Sequence, residues 1–290
     1  MLKGRKVFII SLLVGLSSVS IHFDSVAKIS SRYAVNLLPG QNQSFMLTNQ
    51  FASFYFGQTS GQNLTLAEGL NVETEEFLED YSIQIDGEFL NRQYARTQLG
   101  IDKILRHYYD WNLTEEACLL PRENIVMIKL KRSIKTTISI YPAIPLKNDS
   151  SEFITHWDVK EKTLFVARKN HLMRTREEDY PIWLGITTLP EPLFVPDENN
   201  VRPEQLSSVS PVYLPGRMTF KMDSVAVVLF LVGDYREEMQ QARKRIEGKY
   251  QFLIEQRGFK LDRLWPRTFQ KSEQPGLKKR KTEFCHKNIH

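Results

Sequence analysis

The chain has 290 residues, 41% of them hydrophobic and 25% charged, an ordinary globular composition that can bury a sizeable core in one large domain or two modest ones. Its formal charge is +5, but residues 1–27 carry +2 and residues 271–290 carry +4, which leaves −1 for everything between. A body with that balance has no global cationic bias, so no nucleic-acid partner is expected.

Residues 1–27 read as a signal peptide. Lys3, Arg5 and Lys6 form a positive start, residues 7–21 are an apolar run, and Ser25-Val26-Ala27 sets small residues where a signal peptidase cuts, leaving Lys28 as the new terminus. The run is short for a membrane span, so cleavage is expected ahead of its alternative, a retained membrane anchor. That address predicts a secreted, periplasmic or cell-surface protein. The two cysteines, Cys118 and Cys285, allow one bridge at most and make no disulfide scaffold. Asn42, Asn63, Asn112 and Asn148 each open a glycosylation sequon, which matters only in a eukaryotic secretory route.

From 51 to 232 the dominant signal is strand. Residues 51–58 are aromatic, and residues 81–99 hold Asp86-Gly87 between two strand-like runs, a strong hairpin signal. Residues 103–111 follow. In 124–133, Val126, Ile128 and Leu130 fall on one face and Lys129 and Lys131 on the other; in 135–144, Ile138 and Ile140 oppose Thr137, Ser139 and Tyr141. Residues 163–169, 181–189, 217–223 and 224–233 complete the set. The pairs 124–133/135–144 and 217–223/224–233 are expected to be hairpins or near neighbours. Many strands without intervening helices predict a mainly β fold, an antiparallel sandwich over 28–233. Residues 189–216 hold six prolines and no periodicity, which reads as a long surface loop or inserted arm.

One long helix is expected last, over 234–257, with Asp234 and Glu237 as its capping box and Gly258 as its stop. Met239, Ala242, Ile246, Tyr250 and Leu253 form a single buried stripe, with Arg236, Arg243, Lys244 and Arg245 largely off it. Such a helix spans roughly 36 Å, long enough to cross a whole sandwich. Residues 234–265 are expected to serve as a linker helix and residues 266–290 as a basic, disordered tail.

The run "QYARTQLGIDKILRHYYDWNLTEEACLLPRENIVMIKLKRSIKTTISIYP" (93–142) resembles the N-terminal β-sandwich of glycoside hydrolases and phosphorylases that carry an (α/α)6-barrel catalytic domain. A strand like "YARTQLGID", a short "LLPRE" stretch, an apolar "NIVMIKL" strand and a "KTTISI" partner follow one another there in the same way. Residues 224–265, ending in Leu264-Trp265, are similar to the last sandwich strand and linker helix of those families, among them the α-fucosidase, maltose-phosphorylase and debranching branches. The resemblance covers about 50 to 265 and rests on strand order, spacing and the linker. It implies a supersandwich-like fold. It also implies that the general acid and base belong to a barrel of several hundred residues, for which this chain has no room, so no residue here inherits a catalytic role. The expectation is therefore a non-catalytic, carbohydrate-associated sandwich module of a truncated or split glycosidase, inactive alone. Its expected partners are a glycan, or a separate barrel chain docking on the stripe of helix 234–257. The alternative is an exported structural or interaction sandwich with no sugar ligand.

"RHYYDW" (106–111) is the best candidate for sugar contact. Aromatic faces stack on sugar rings and polar side chains bond hydroxyls, which nominates Arg106, His107, Tyr109, Asp110 and Trp111. Tyr108 and one neighbour are expected in the core, and Trp111 at a strand end where a loop could expose it. Trp157 and Trp183 read as packing. The carboxylates Glu75, Glu76, Glu79 and Asp80, Glu115 and Glu116, and Glu177, Glu178 and Asp179 read as solvated loop charges. The histidines 22, 107, 156 and 171 lack ligand spacing, and Cys285, His286 and His290 fall short of a four-ligand structural site, so no metal is expected. No nucleophile elbow, phosphate loop or dinucleotide fingerprint occurs, so no cofactor is expected. Residues 278–281, "KKRK", read as a solvated terminal run.

Overall fold

The computed structural model describes residues 34–50, 52–65, 67–146, 153–168, 182–197 and 211–247. These belong to one compact unit, Tyr33–Ile254. The expectations for the signal peptide, for Asn148, for His171 and Glu177–Asp179, for Tyr250 and Leu253, for the end of the linker and for the basic tail lie outside the described residues.

The described residues form a mainly β fold with antiparallel sheets and a single C-terminal α-helix, as the periodicities predict. One sheet has nine strands, in the order β1 (Val35–Leu37), β8 (Arg96–Leu99), β9 (Lys103–Tyr108), β10 (Leu113–Leu119), β11 (Ile125–Arg132), β19 (Val225–Gly233), β15 (Trp183–Leu189), β14 (Thr163–Arg168), β13 (Phe153–Asp158). A second sheet of six strands runs β16 (Leu193–Pro196), β18 (Gly216–Met222), β12 (Thr136–Pro145), β6 (Asp80–Ile85), β7 (Glu88–Phe89), with β17 (Val212–Tyr213) beside β12. A four-stranded sheet, β2 (Ser44–Thr48), β3 (Ser53–Gln58), β4 (Gly69–Val72), β5 (Glu75–Leu78), completes the body.

One core joins these layers. Ile104, Val126, Ile128, Leu130, Val228 and Phe230 face it from the nine-stranded sheet; Ile83, Ile85, Ile138, Ile140, Met218 and Phe220 face it from the six-stranded sheet. The rings of Tyr81 and Phe230 meet across the interface, 5.5 Å between centroids. The alternation visible in 124–133 and 135–144 is the inward half of each strand.

Two expectations of neighbouring strands are corrected. β11 and β12 lie in different sheets, and so do β18 and β19. Each short connection, around 133–135 and 223–224, passes the chain from one layer to the other. Alternation reports which face of a strand is buried but not which sheet it joins, so the two arrangements look alike in sequence. The connections sit together: the Arg132 N–H donates to Ser224 O at 2.9 Å, and Lys135 pairs with Asp223 at 2.9 Å. The Asp86-Gly87 hairpin forms as expected, β6 to β7, with both residues at positive φ (49° and 97°). Asp86 also reaches across to β12, accepting from Thr136 Oγ1 at 2.6 Å and the Thr137 N–H at 3.0 Å. The proline-rich stretch is not all loop, since β16 pairs with β18 at the sheet edge, where prolines cost no ladder bond.

The helix α1 (Arg236–Glu247) packs on the outer face of the nine-stranded sheet. Met239, Ala242 and Ile246 bury there against Met127, Phe165, Trp183, Leu229 and Leu231. This second cluster explains why β19 reads as a continuous apolar run: both of its faces are covered. Gly185 lets the helix approach, since a Cβ there would sit 3.2 Å from Met239 Sδ. Arg236 lies over Trp183, 3.9 Å from the ring centroid. Arg243, expected off the stripe, is buried; its Nη1 donates to Glu161 O.

Candidate functional site

Strand parity divides the "RHYYDW" run. β9 pairs with β8 on one side and β10 on the other, and residues directly opposite share a face. Arg106 and Tyr108 therefore point into the sandwich, and His107 points out. The burial alternates to match, with Arg106 and Tyr108 buried and His107 partly exposed.

Arg106 is the correction this forces. It is 1% exposed, its Nε donates to Thr59 O at 3.3 Å, and its Nη1 donates to Glu115 Oε1 at 2.9 Å. It is committed to the core and out of a ligand's reach. Glu115 is a second correction: it lies on β10, not in a loop, and is fully buried. Tyr108 Oη donates to its Oε2 at 2.6 Å, and Tyr81 Oη donates to Oε1. Burial alone would raise the Glu115 carboxyl, but Arg106, Arg92 and the two tyrosine hydroxyls outweigh it and hold it below the usual range. Burial, reinforced by the Glu115 charge, pushes both tyrosines well up, so they stay protonated donors.

Arg92, on the 3-10 turn Arg92–Tyr94, extends this network. Its Nη1 donates to both Asp80 oxygens at 2.7 and 2.8 Å, its Nη2 donates to Tyr81 O at 2.7 Å, and its guanidinium lies 4.5 Å from the Tyr81 ring centroid. Asp80, read from the sequence as a solvated charge, is therefore buried and paired. A depression of about 120 Å³ lies beside Arg92, Tyr81 and Tyr108, whose polar groups are already bonded to Asp80 and Glu115. Arg106 with Glu115 and Arg92 with Asp80 form two buried pairs that balance in charge, tied further to Thr59 O, Tyr81 and Tyr108, which makes them structural.

The outer face is different. Asn36 on β1, Arg96 and Gln98 on β8, His107 on β9 and Tyr109 just beyond it line an open groove of about 260 Å³. The registers Asn36↔Gln98 and Arg96↔His107 put these side chains on one face. Tyr109 is 66% exposed, and Arg96 Nη1 donates to its hydroxyl at 3.5 Å. His107 Nδ1 lies 3.2 Å from Thr114 Oγ1. The groove offers one aromatic face and several planar polar groups. Its lining holds no carboxylate, so it lacks the acid pair that glycoside hydrolysis uses.

Of the nominated residues, the structure brings His107 and Tyr109 into this groove and leaves the rest out. Asp110 is exposed in the turn that follows β9. Trp111 is only partly exposed and packs against the core, its carbonyl accepting from Arg132 Nε at 2.9 Å. Asn36, Arg96 and Gln98 were missed. The alternation of "RTQL" puts Arg96 and Gln98 on one face, but only the β8–β9 register brings them beside His107. Trp157 and Trp183 pack as expected, Trp157 against Phe194 and Trp183 in the layer under α1. The stripe of α1 is spent on the sheet, so its described residues Met239, Ala242 and Ile246 are not open to a docking chain. No cluster of metal-ligating side chains occurs among the described residues.

No family model matches the chain, and neither does any curated protein. Solved structures do show partial likeness. A family GH92 alpha-mannosidase from Bacteroides thetaiotaomicron, in complex with mannoimidazole, is 13% identical at a TM-score of 0.41, covering 79% of this chain and 33% of its own. A second structure of the same mannosidase gives 13% and 0.40, over 79% and 35%. A heparinase III gene product is 8% identical at 0.38, over 70% of this chain and 36% of its own. The chain thus spans about a third of the length of the structures it is similar to.

Proposed function

We propose that this chain is a carbohydrate-associated β-sandwich module that binds a glycan on the open part of its nine-stranded sheet and performs no chemistry itself. The observation that carries this reading is Tyr109. A tyrosine ring 66% exposed, with Arg96, Gln98, Asn36 and His107 beside it, combines a stacking surface with hydrogen-bond groups for hydroxyls. Half of the sheet's outer face is apolar and closed by α1; the other half is polar and open. The resemblance of 50–265 to glycosidase sandwiches supports the choice of a sugar over other ligands.

A glycan array probed with the full chain tests this. Binding is expected to a defined set of glycans and to fall by at least tenfold in Tyr109→Ala, with Trp111→Ala tested alongside as a core-packing variant that disturbs stability more than recognition. A folded protein that binds no glycan, or a Tyr109→Ala variant that binds unchanged, contradicts the reading.

A further inference from the structure

The registers align more than the groove. Arg96 lies opposite His107, His107 opposite Thr114, and Thr114 opposite Lys131. These four side chains form one row across β8, β9, β10 and β11, all on the outer face. At about 4.8 Å per strand, the ends of the row are roughly 14 Å apart. Arg96 and Lys131 are both exposed, and neither has a carboxylate partner among the described residues. The next row, Gln98, Leu105, Glu116 and Lys129, carries an acid, but Glu116 is held by Lys103 at 3.3 Å. Asp110 is the exposed acid nearest in sequence, and it lies outside the groove lining.

We infer that this face selects an acidic oligosaccharide laid across the strands, with its carboxylate groups reaching Arg96 at one end and Lys131 at the other. The inference rests on the glycan-binding reading and adds the charge of the ligand. Guanidinium and ammonium groups without an acid partner among the described residues leave a positive row, although the body as a whole is nearly neutral. A neutral sugar would satisfy Tyr109 and Gln98 but neither end of the row. A uronate chain adds charge-assisted bonds at both ends. Thr114 and His107 supply uncharged bonds to hydroxyls in between.

The test compares an oligogalacturonate with a neutral galacto-oligosaccharide of the same length, titrated into the full chain by calorimetry at low and high salt. The oligogalacturonate is expected to bind at least tenfold more tightly at low salt and to lose most of that advantage at high salt. Lys131→Gln, outside the groove lining, should remove roughly a factor of ten from oligogalacturonate binding and leave the neutral sugar unchanged, whereas Arg96→Gln should weaken the oligogalacturonate by about ten times more than it weakens the neutral sugar. Both positions are exposed, so the variants should fold; their thermal transitions check this. Equal binding of the two sugars, with Tyr109→Ala abolishing both, overturns the acid preference and leaves the glycan reading standing. Binding of neither sugar overturns the acid preference, and the glycan reading falls with it only if the array also shows no binding. Single-stranded DNA binding as tightly as the oligogalacturonate, with the same dependence on Arg96 and Lys131, overturns the inference in favour of an unspecific polyanion surface.

Discussion

At the scale of single residues, Glu115 sets the limits of what the sequence revealed. Two adjacent glutamates beside a sequon look like a solvated loop. In the structure they alternate on a strand, so Glu115 faces the core while Glu116 meets Lys103 at the surface. Nothing local announces this, because the partners that make burial tolerable, Arg106, Tyr108 and Tyr81, come from other strands. Removing the charge leaves Arg106 buried without its partner. Glu115→Gln is expected to cost roughly 3–5 kcal/mol, and Tyr108→Phe about 1–2 kcal/mol, in denaturant unfolding. The pH dependence follows from the depressed Glu115 carboxyl. The stability it contributes is fully present above the ordinary carboxylate range and is lost as pH falls through its lower folded value. Asp86 acts with the same sign, since its bonds from Thr136 Oγ1 and the Thr137 N–H lower it in the folded state. Stability measured against pH should therefore decline on the acid side, with a shallower slope in Glu115→Gln. An unchanged slope in that variant would remove Glu115 from the account.

Among the elements, local pattern was a good guide and pairing was not. The inward residues of β11 and β12, the Asp86-Gly87 turn and the stripe of α1 were all readable, because each depends on periodicity or on a turn's need for positive φ. The assignment of β11 and β12 to opposite sheets was hidden, as was the row from Arg96 to Lys131, because register is fixed only when distant strands meet. The continuous apolar run of β19 did carry a hint: a strand covered on both faces needs something outside the sheet, and α1 is that cover. Gly185 is where the cover comes closest. Gly185→Ala is expected to displace Met239 by a few tenths of an ångström and to cost about 1 kcal/mol. Differential hydrogen exchange should show the loosening confined to α1 and β15. Loss of protection throughout the nine-stranded sheet would mean that the helix is integral to the sandwich and not a layer laid upon it.

For the whole molecule, the organising feature is one sheet with two outer faces in sequence. Toward β14 and β15 it is apolar and sealed by α1; toward β8 and β9 it is polar and open. The sequence nominated residues from both sides of one strand, Arg106 together with His107 and Tyr109. The core keeps the former, and the groove holds the latter. The most direct test of the account is a two-dimensional amide NMR spectrum of the full chain titrated with a glycan that the array identifies. The account predicts shift changes concentrated at Asn36, Arg96, Gln98, His107 and Tyr109, with α1 and the six-stranded sheet silent. Changes centred instead on Arg92, Tyr81 and Tyr108, or on the exposed side of α1, would contradict it.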